Sequence, residues 1–514
     1  MILHRGKSQK GHLIILIAGV LALGWLMRVG IGIYSEDSVC YYEGAKSLMR
    51  GDGYSIPNTE GGLEPLTTFP PFYSCILALL GWSADLLSIA RTVQILSLGA
   101  SICWIGLILY QLTKRSWQAA CLGTALIAFS VDVLTSHRFL MSEGVFLSLS
   151  LGSIYLFVLY LKKGGMYKLL IAASMAALAG LTRYAGVALV AGGCMNLFFL
   201  HRGPVRARVR DISLFSGAGF FPLALWCYRN HVRADMATGR FPGFRAGLTF
   251  REIENVRDAV SKWFFQGFLT LPFWTLVPLA ILLMGIAYAM WVRRRQTFCY
   301  LWTRDVAIPI TFAGAYLGVL FISRVFLESS LLLDSERILM PLHVLLLISA
   351  VSCWARVSEV MRNRLLQRVL KVVAVIFCVC FVSSGVYWVA GEDGTDGYST
   401  EYYRGSLVIQ RLKTLPPHTR IYTNEIPPIQ IWGERVPKRL PNKIDPSIEE
   451  PNSYYRWQVE NLIKDLREGA LVVYVREQDS WYSLISPEEI DSLMPLELVA
   501  EDETASLYRA RRRF

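Results

Sequence analysis

Apolar residues fall in long runs separated by short polar stretches over the first three quarters of the chain. A membrane-spanning helix needs about 20 apolar residues. About eleven runs qualify, near residues 12–33, 88–111, 117–135, 141–161, 167–183, 185–200, 211–229, 270–292, 304–326, 337–355 and 369–390. The fifth and sixth are nearly continuous and are expected to break at Arg183-Tyr184. The run Phe72–Trp82 follows Pro70-Pro71 and is too short to span, so a helix lying at the membrane interface is expected there. The first run is too long for the apolar part of a signal peptide and lacks a small-residue cleavage site, so it is expected to be retained.

After residue 390 the pattern changes. A short strand pattern at Arg420-Ile421-Tyr422-Thr423 is followed by a helical one near 454–468. A stronger strand at Ala470–Val475 and a hairpin-like pair at Leu496–Ala500 and Ala505–Arg509 complete the tail. The expected architecture is a polytopic α-helical membrane domain over residues 1–390, with about eleven transmembrane helices, and a small α/β domain over 391–514.

Composition agrees with that division. Of 514 residues, 53% are hydrophobic and 18% charged, where a soluble protein would carry about 25% charged residues. The net charge of +12 does not point to nucleic acid, because the basic residues gather in short loops between apolar runs. The stretches HRGKSQK, Lys114-Arg115, KKGGMYK, HRGPVRARVR, Arg293–Arg295 and RNRLLQR alternate with poorly basic loops. Basic loops stay in the cytoplasm, which predicts a multi-pass protein of the cell (inner or plasma) membrane, with a cytoplasmic amino terminus and an extracytoplasmic α/β domain. Most of the ten cysteines lie inside apolar runs, and no zinc-type C-x-x-C pair occurs. Cys40 and Cys75 both fall on the outer side, so a bond between them is one reading.

Charge also marks a place for chemistry. An ionisable group in a span costs roughly 2.5–3.5 kcal/mol at mid-helix. Arg28, Arg91, Asp132, Glu143, Arg183, Arg324 and Arg337 all fall near the outer ends of their runs, whereas the inner halves hold few charges. Single arginines in such places snorkel to headgroups; a set at one end points to a polar cavity opening outward. The outer loop 230–268 breaks the charge rule with Arg233, Arg240, Arg245, Arg251, Arg257 and Lys262. It reads either as a solvated loop long enough to escape the bias or as an anion site. In the first outer loop, Glu36 and Asp37 precede a short amphipathic pattern through Tyr41, Tyr42, Ala45, Leu48 and Met49 that ends at Gly51 or Gly53. The acidic pair complements that helix's dipole, and a partly desolvated carboxylate near arginines is also suited to be a general base.

These segments together resemble the GT-C superfamily of membrane glycosyltransferases, and within it the family related to protein O-mannosyltransferases and the lipid A aminoarabinose transferase. The resemblance rests on Glu36-Asp37, Tyr41-Tyr42, Ala45 and Gly51-Asp52-Gly53, then Pro70-Pro71-Phe72-Tyr73 and Ser142-Glu143. Leu181-Thr182-Arg183-Tyr184 and Arg337-Ile338-Leu339-Met340-Pro341 extend it over residues 30–345. Phe69, preceded by Thr67-Thr68, stands where the aminoarabinose transferase carries a lysine, and Glu36 stands where many relatives carry aspartate.

The resemblance implies the GT-C fold and transfer of a sugar, with inversion, from a polyprenyl-phosphate donor to a glycan, lipid or protein acceptor. The sequence agrees in having no sizeable cytoplasmic domain and no Gly-rich phosphate loop for a nucleotide sugar. Asp37 is expected as the base, with Glu36 and Glu143 as further catalytic carboxylates. Arg183 and Arg337, then Arg240 and Arg245, are expected on the donor phosphate, and Tyr41, Tyr73 and Tyr184 at acceptor-positioning places. Some superfamily members use a divalent metal, for which Asp37, Glu36 and Glu143 would supply oxygen ligands; no cofactor is otherwise implied. The rival readings are a transporter or flippase, whose charges belong at the bilayer midplane in repeated broken helices, and an envelope assembly protein acting through its tail.

Overall fold

The computed structural model describes residues 19, 24, 30–243, 256, 259–260, 263, 304–328, 336–360, 364–390, 397–445, 450–476 and 483–511. Most of the expected first span, the whole of the expected span 270–292, Arg28 and Arg245 lie outside the described residues.

Helix α1 (Glu36–Arg50) follows the first apolar run. Ser35 caps it by accepting from the Asp37 N–H at 3.3 Å, and Glu36 and Asp37 fill its positive first turn. It stops at Gly51, whose φ of +82° suits glycine and closes the helix through bonds back to Leu48 and Ser47. A small hairpin, β1 (Ser55–Pro57) and β2 (Leu63–Pro65), leads to α2 (Phe72–Leu80). The short apolar run after Pro70-Pro71 is therefore a nine-residue helix.

The bundle follows as α3 (Leu86–Leu112), α4 (Trp117–Ala128), α5 (Val131–Ser136), α6 (Glu143–Lys163), α7 (Met166–Thr182), α8 (Val187–Leu200) and α9 (Val205–Ala234). The two-residue strand β3 (Phe241–Pro242) pairs with β4 (Leu327–Glu328) at the end of α10 (Arg304–Phe326), and α11 (Glu336–Val360) and α12 (Arg364–Ala390) close the bundle. Five of the described helices, α3, α6, α10, α11 and α12, contain stretches long and apolar enough to cross a membrane, and α4, α7 and α8 are shorter apolar helices. The chain is a multi-pass membrane protein. The expected third span is two helices, broken at Phe129-Ser130. The expected break between the fifth and sixth spans falls at Arg183, whose backbone is extended (φ −147°, ψ 135°). The bundle is packed around Phe157, which meets Phe215 at 5.4 Å and Phe312 at 5.6 Å between ring centres. Outward faces carry Leu96, Phe198, Phe199, Phe221, Phe321 and Val379, all well exposed, as lipid-facing surfaces are.

The tail holds β5 (Ile421–Thr423), α13 (Ile426–Trp432), β6 (Lys438–Arg439), α14 (Tyr455–Arg467), β7 (Leu471–Val475), α15 (Pro487–Leu493), β8 (Leu496–Glu501) and β9 (Ala505–Ala510). The strands form one sheet in the order β8-β9-β7-β5-β6. β5 runs parallel to both β6 and β7, while β9 is antiparallel to β7 and β8. Its apolar core is shared with the segment that precedes α1 and with α1 itself: Ile33 and Val39 pack with Tyr398, Tyr403, Val408 and Ile429. Cys40 and Cys75 are both free thiols, so the bond considered between them is not made.

Candidate active site

The chain break at Arg183 and the start of α6 meet at one point. Arg183 caps the end of α7 from an extended residue, which aims its guanidinium sideways at Glu143, the first residue of α6, at 2.8 Å. Arg337, in the first turn of α11, reaches the same Glu143 Oε1 at 3.5 Å. The other end of the Arg337 fork lies 3.8 Å from Asp37 Oδ2. Its Cζ also stands 4.5 Å from the centre of the Tyr34 ring, a cation–π contact that holds the guanidinium flat. Glu143 is buried, while the Asp37 side chain is 38% exposed, so the cluster has a sealed inner carboxylate and an accessible outer one.

Ser142 joins the cluster at the expense of capping α6. Its hydroxyl makes no cap bond; instead it accepts from Arg183 at 3.2 Å and shares a 2.7 Å hydrogen bond with the Tyr41 hydroxyl. Tyr73 lies one layer back, fully buried, edge-on to Tyr41 at 5.1 Å, and accepts from Gln94 at 3.4 Å. Tyr184 has another duty: its hydroxyl donates to the Thr67 carbonyl at 2.6 Å and accepts from Trp226 and Asn230. It thereby fixes the Thr67-Thr68 segment on which the 236–240 stretch rests, since a Cβ on Gly239 would strike Thr67 and Thr68.

Arg240 sits in that covering stretch and acts electrostatically on both Asp37 and Arg183; burial and the Arg183 charge push its own guanidinium down from the usual range. Packing around Asp37 pushes its carboxyl up from the ordinary value, and Glu143 adds to this, while Arg337, Arg183 and Arg240 pull it back. Against Asp37 and Glu143, three guanidinium groups leave one excess positive charge.

Of the residues read from the sequence, Asp37, Glu143, Arg183, Arg337, Arg240 and Tyr41 are thus gathered at one place. Glu36 is not. Its carboxylate turns away to pair with Arg439 of β6, because adjacent residues in a helix's first turn point about 100° apart. The three carboxylates do not suit a metal: each faces a guanidinium, and among the described residues no group of three or more His, Cys, Asp or Glu could hold one.

Three polar arrangements went unread, although Asp132 itself was among the outer charges. Asp132 of α5 binds His343 Nδ1 of α11 at 2.9 Å, and that ring stacks on Trp263 at 4.8 Å. At the opposite end of the bundle Lys162, Asp305 and Arg356 form one ionic group, and the fully buried Asp211 takes Tyr160, His201 and Arg210. The inner ends are therefore more charged than expected. The signal was present, since Asp211 and Asp305 each open an apolar run beside basic loops.

Beneath the cluster, α6, α8, α10 and α11 meet at a narrow apolar crevice with about 20 Å³ of open space, lined by Phe146, Leu151, Leu189, Phe312, Tyr316 and Pro341 among others. Phe146 lies one turn below Glu143, and Pro341 one turn below Arg337.

No protein-family model and no curated protein matches the sequence. Solved structures do. ArnT from Cupriavidus metallidurans, an aminoarabinose transferase, superposes in its apo state with a TM-score of 0.61 at 13% identity, covering 98% of both chains. The chain has the GT-C fold. Within that fold the match extends to the Archaeoglobus fulgidus oligosaccharyltransferase (TM-score 0.57, 13% identity, 90% of this chain and 68% of that one). It also extends to the mycobacterial arabinofuranosyltransferase AftD (TM-score 0.56, 13% identity, 97% of this chain and 40% of that one). Within this fold the charged cluster is assembled from α1 and the ends of α6, α7 and α11.

Proposed function

We propose that the protein is an inverting membrane glycosyltransferase that takes a sugar from a polyprenyl-phosphate donor at the extracytoplasmic face. The observation that carries this reading is the pairing of an accessible carboxylate, Asp37, with the Arg337 guanidinium 3.8 Å away, itself backed by Glu143 and Arg183. Asp37 Oδ2 takes the proton from an acceptor hydroxyl as its oxygen bonds to the anomeric carbon. The bond from that carbon to the phosphate oxygen breaks on the opposite side, and its electron pair leaves with the phosphate. The donor phosphodiester carries one negative charge and the departing monoester nearly two. The excess positive charge of the cluster meets the charge that develops, which is where electrostatic catalysis acts. Arg337, Arg183 and Arg240 are the groups placed to supply it.

Three further observations support the reading. ArnT has been solved bound to undecaprenyl phosphate, and this chain shares its fold. The crevice beneath the cluster is apolar in its lining, as the path of a lipid chain with its phosphate at Arg337 and Arg183 would be, and the helices would have to part there to admit one. The alternation of basic loops favours an outer position for the cluster and the tail. A transporter would carry its polar groups onward to the midplane, whereas the space below Glu143 is lined by Phe146, Leu151 and Phe312. The acceptor is of the hydroxyl class, whether glycan, lipid or protein.

The deciding test measures transfer from polyprenyl-phosphate sugars in membranes carrying the wild type or Asp37→Asn. Loss of turnover by about 10²–10⁴-fold with folded protein is expected. Near-normal turnover in folded Asp37→Asn sinks the assignment. Mass spectrometry of envelope glycans and lipids after deletion identifies the sugar and acceptor.

A further inference from the structure

The segment just before Asp37 is held from two sides. On one, the Gly32 N–H donates to the Arg138 carbonyl at 2.9 Å and the Leu140 N–H to the Gly32 carbonyl at 2.8 Å, close to the start of α6 that carries Glu143. On the other, the Tyr398 N–H donates to the Ile33 carbonyl at 2.8 Å. Residues 139, 32–33 and 397 so form a pair of parallel bridges with the pre-α1 segment in the middle. Ile33 is fully buried in the apolar core of the tail. At the next position along, β6 brings Arg439 beside Thr423 of β5 and its guanidinium onto the Glu36 carboxylate. The tail is therefore built into the residues on either side of the Asp37 backbone.

The Arg439–Glu36 pair is half exposed on both sides, at 38% and 47%, and such pairs add little to stability. Its geometric effect is larger. Glu36 and Asp37 are consecutive residues of one helical turn, so fixing the first carboxylate fixes the rotation of the turn that aims the second. With Glu36 drawn to Arg439, the nearer cation for Asp37 is Arg337. We propose that Arg439 is a positioning residue for the transfer reaction: it restrains Glu36 and so holds Asp37 in line with Arg337 and the acceptor. The inference rests on the reading of Asp37 as the base.

The test is a double-mutant cycle in the full-length membrane protein, with turnover measured against donor concentration. Arg439→Gln and Glu36→Gln each keep the side-chain stem and break the pair. Each is expected to lower kcat by about tenfold, with KM for the donor within about twofold, because misplacement of a base by a fraction of an ångström acts on the chemical step. The double variant is expected to be no worse than either single one. The charge swap Arg439→Glu with Glu36→Arg is expected to recover kcat to within about threefold of wild type, above either single reversal. Amide hydrogen exchange at residues 36–40 is expected to quicken in Arg439→Gln and slow again in the swap, a readout that needs no activity. Wild-type kcat in Arg439→Gln overturns the proposal, as does a swap no better than its single reversals, which would give Glu36 a direct contact with substrate. If folded Asp37→Asn is as active as wild type, the failure lies in the base assignment; if Asp37→Asn is dead and Arg439→Gln is normal, it lies here.

Discussion

Asp37 serves two demands that oppose each other. Its carboxyl is raised above the ordinary 3.8 by the protein packed around it, so between those two values the native state holds the proton more tightly than the unfolded chain does. Stability from this group is complete at low pH and falls as pH rises through the raised value. Above the raised value the charged aspartate therefore costs the fold something that a neutral isostere does not. Asp37→Asn is expected to raise the thermal midpoint by about 1–2 °C while abolishing transfer, measured by melting in detergent beside the activity assay. The proposed catalytic role has the opposite sign, because a general base must be unprotonated. The acid limb of kcat/KM is expected to lie above that of an ordinary aspartate. Arg337→Gln removes the largest opposing pull, so it is expected to shift that limb further up and to lower the plateau by about 10²–10³-fold. A limb that stays in place in Arg337→Gln would detach the two groups. The residue types of this cluster could be read from the sequence because a charge at the end of an apolar run is costly and stands out. The division of labour between Glu36 and Asp37 could not, because it is decided by Arg439, some four hundred positions away.

At the scale of elements, helix ends do the work of the site. Arg183 reaches Glu143 only because α7 stops at an extended residue and the chain turns directly into α8. Gly186 lets that turn close, since a Cβ there would run into the Gly180 backbone nitrogen. Gly186→Ala is expected to destabilise the protein by about 1–3 kcal/mol and to weaken donor binding, read from the melting midpoint and KM together. Gly397 has a matching place at the other junction: its φ of +58° and the Ile33 carbonyl against it leave no room for a side chain. Gly397→Ala is expected to slow turnover without altering the bundle, checked by crosslinking or hydrogen exchange of residues 31–35. Apolar periodicity revealed nearly all the described helices of the bundle, because lipid demands continuous apolar surface. It placed the Arg183 break for the same reason, an arginine being intolerable in mid-span. It did not reveal the split at Phe129-Ser130, which interrupts the hydrogen bonding without interrupting the hydrophobicity. Nor did it reveal Asp132–His343, whose polarity is cancelled inside the protein. In the tail, β5, α14, β7 and the β8–β9 hairpin were legible from alternation and length; β6, with two residues, carries no pattern.

Across the whole molecule the two ends differ in how they are held. At one end, Lys162 of α6, Asp305 of α10 and Arg356 of α11 are tied together, and Asp211 ties α9 to α6 and to the end of α8 through Tyr160 and His201. At the other, the charges converge on a site with a share of open surface, above a crevice between α6, α8, α10 and α11. If a lipid-linked donor enters there as proposed, a bulky filler such as Leu151→Trp is expected to raise KM for a long-chain donor about tenfold or more. A short-chain analogue should be nearly unaffected, and an equal effect on both would place the lipid elsewhere. The bolted end also bears on how the crevice would widen. Helices tied together at one end part more readily at the other, like the jaws of a peg sprung at its base. Cutting a rivet with Asp305→Ala then loosens the spring and leaves the jaws untouched, so this change, at the opposite end of the bundle from Glu143, should be felt in how fast a lipid product departs.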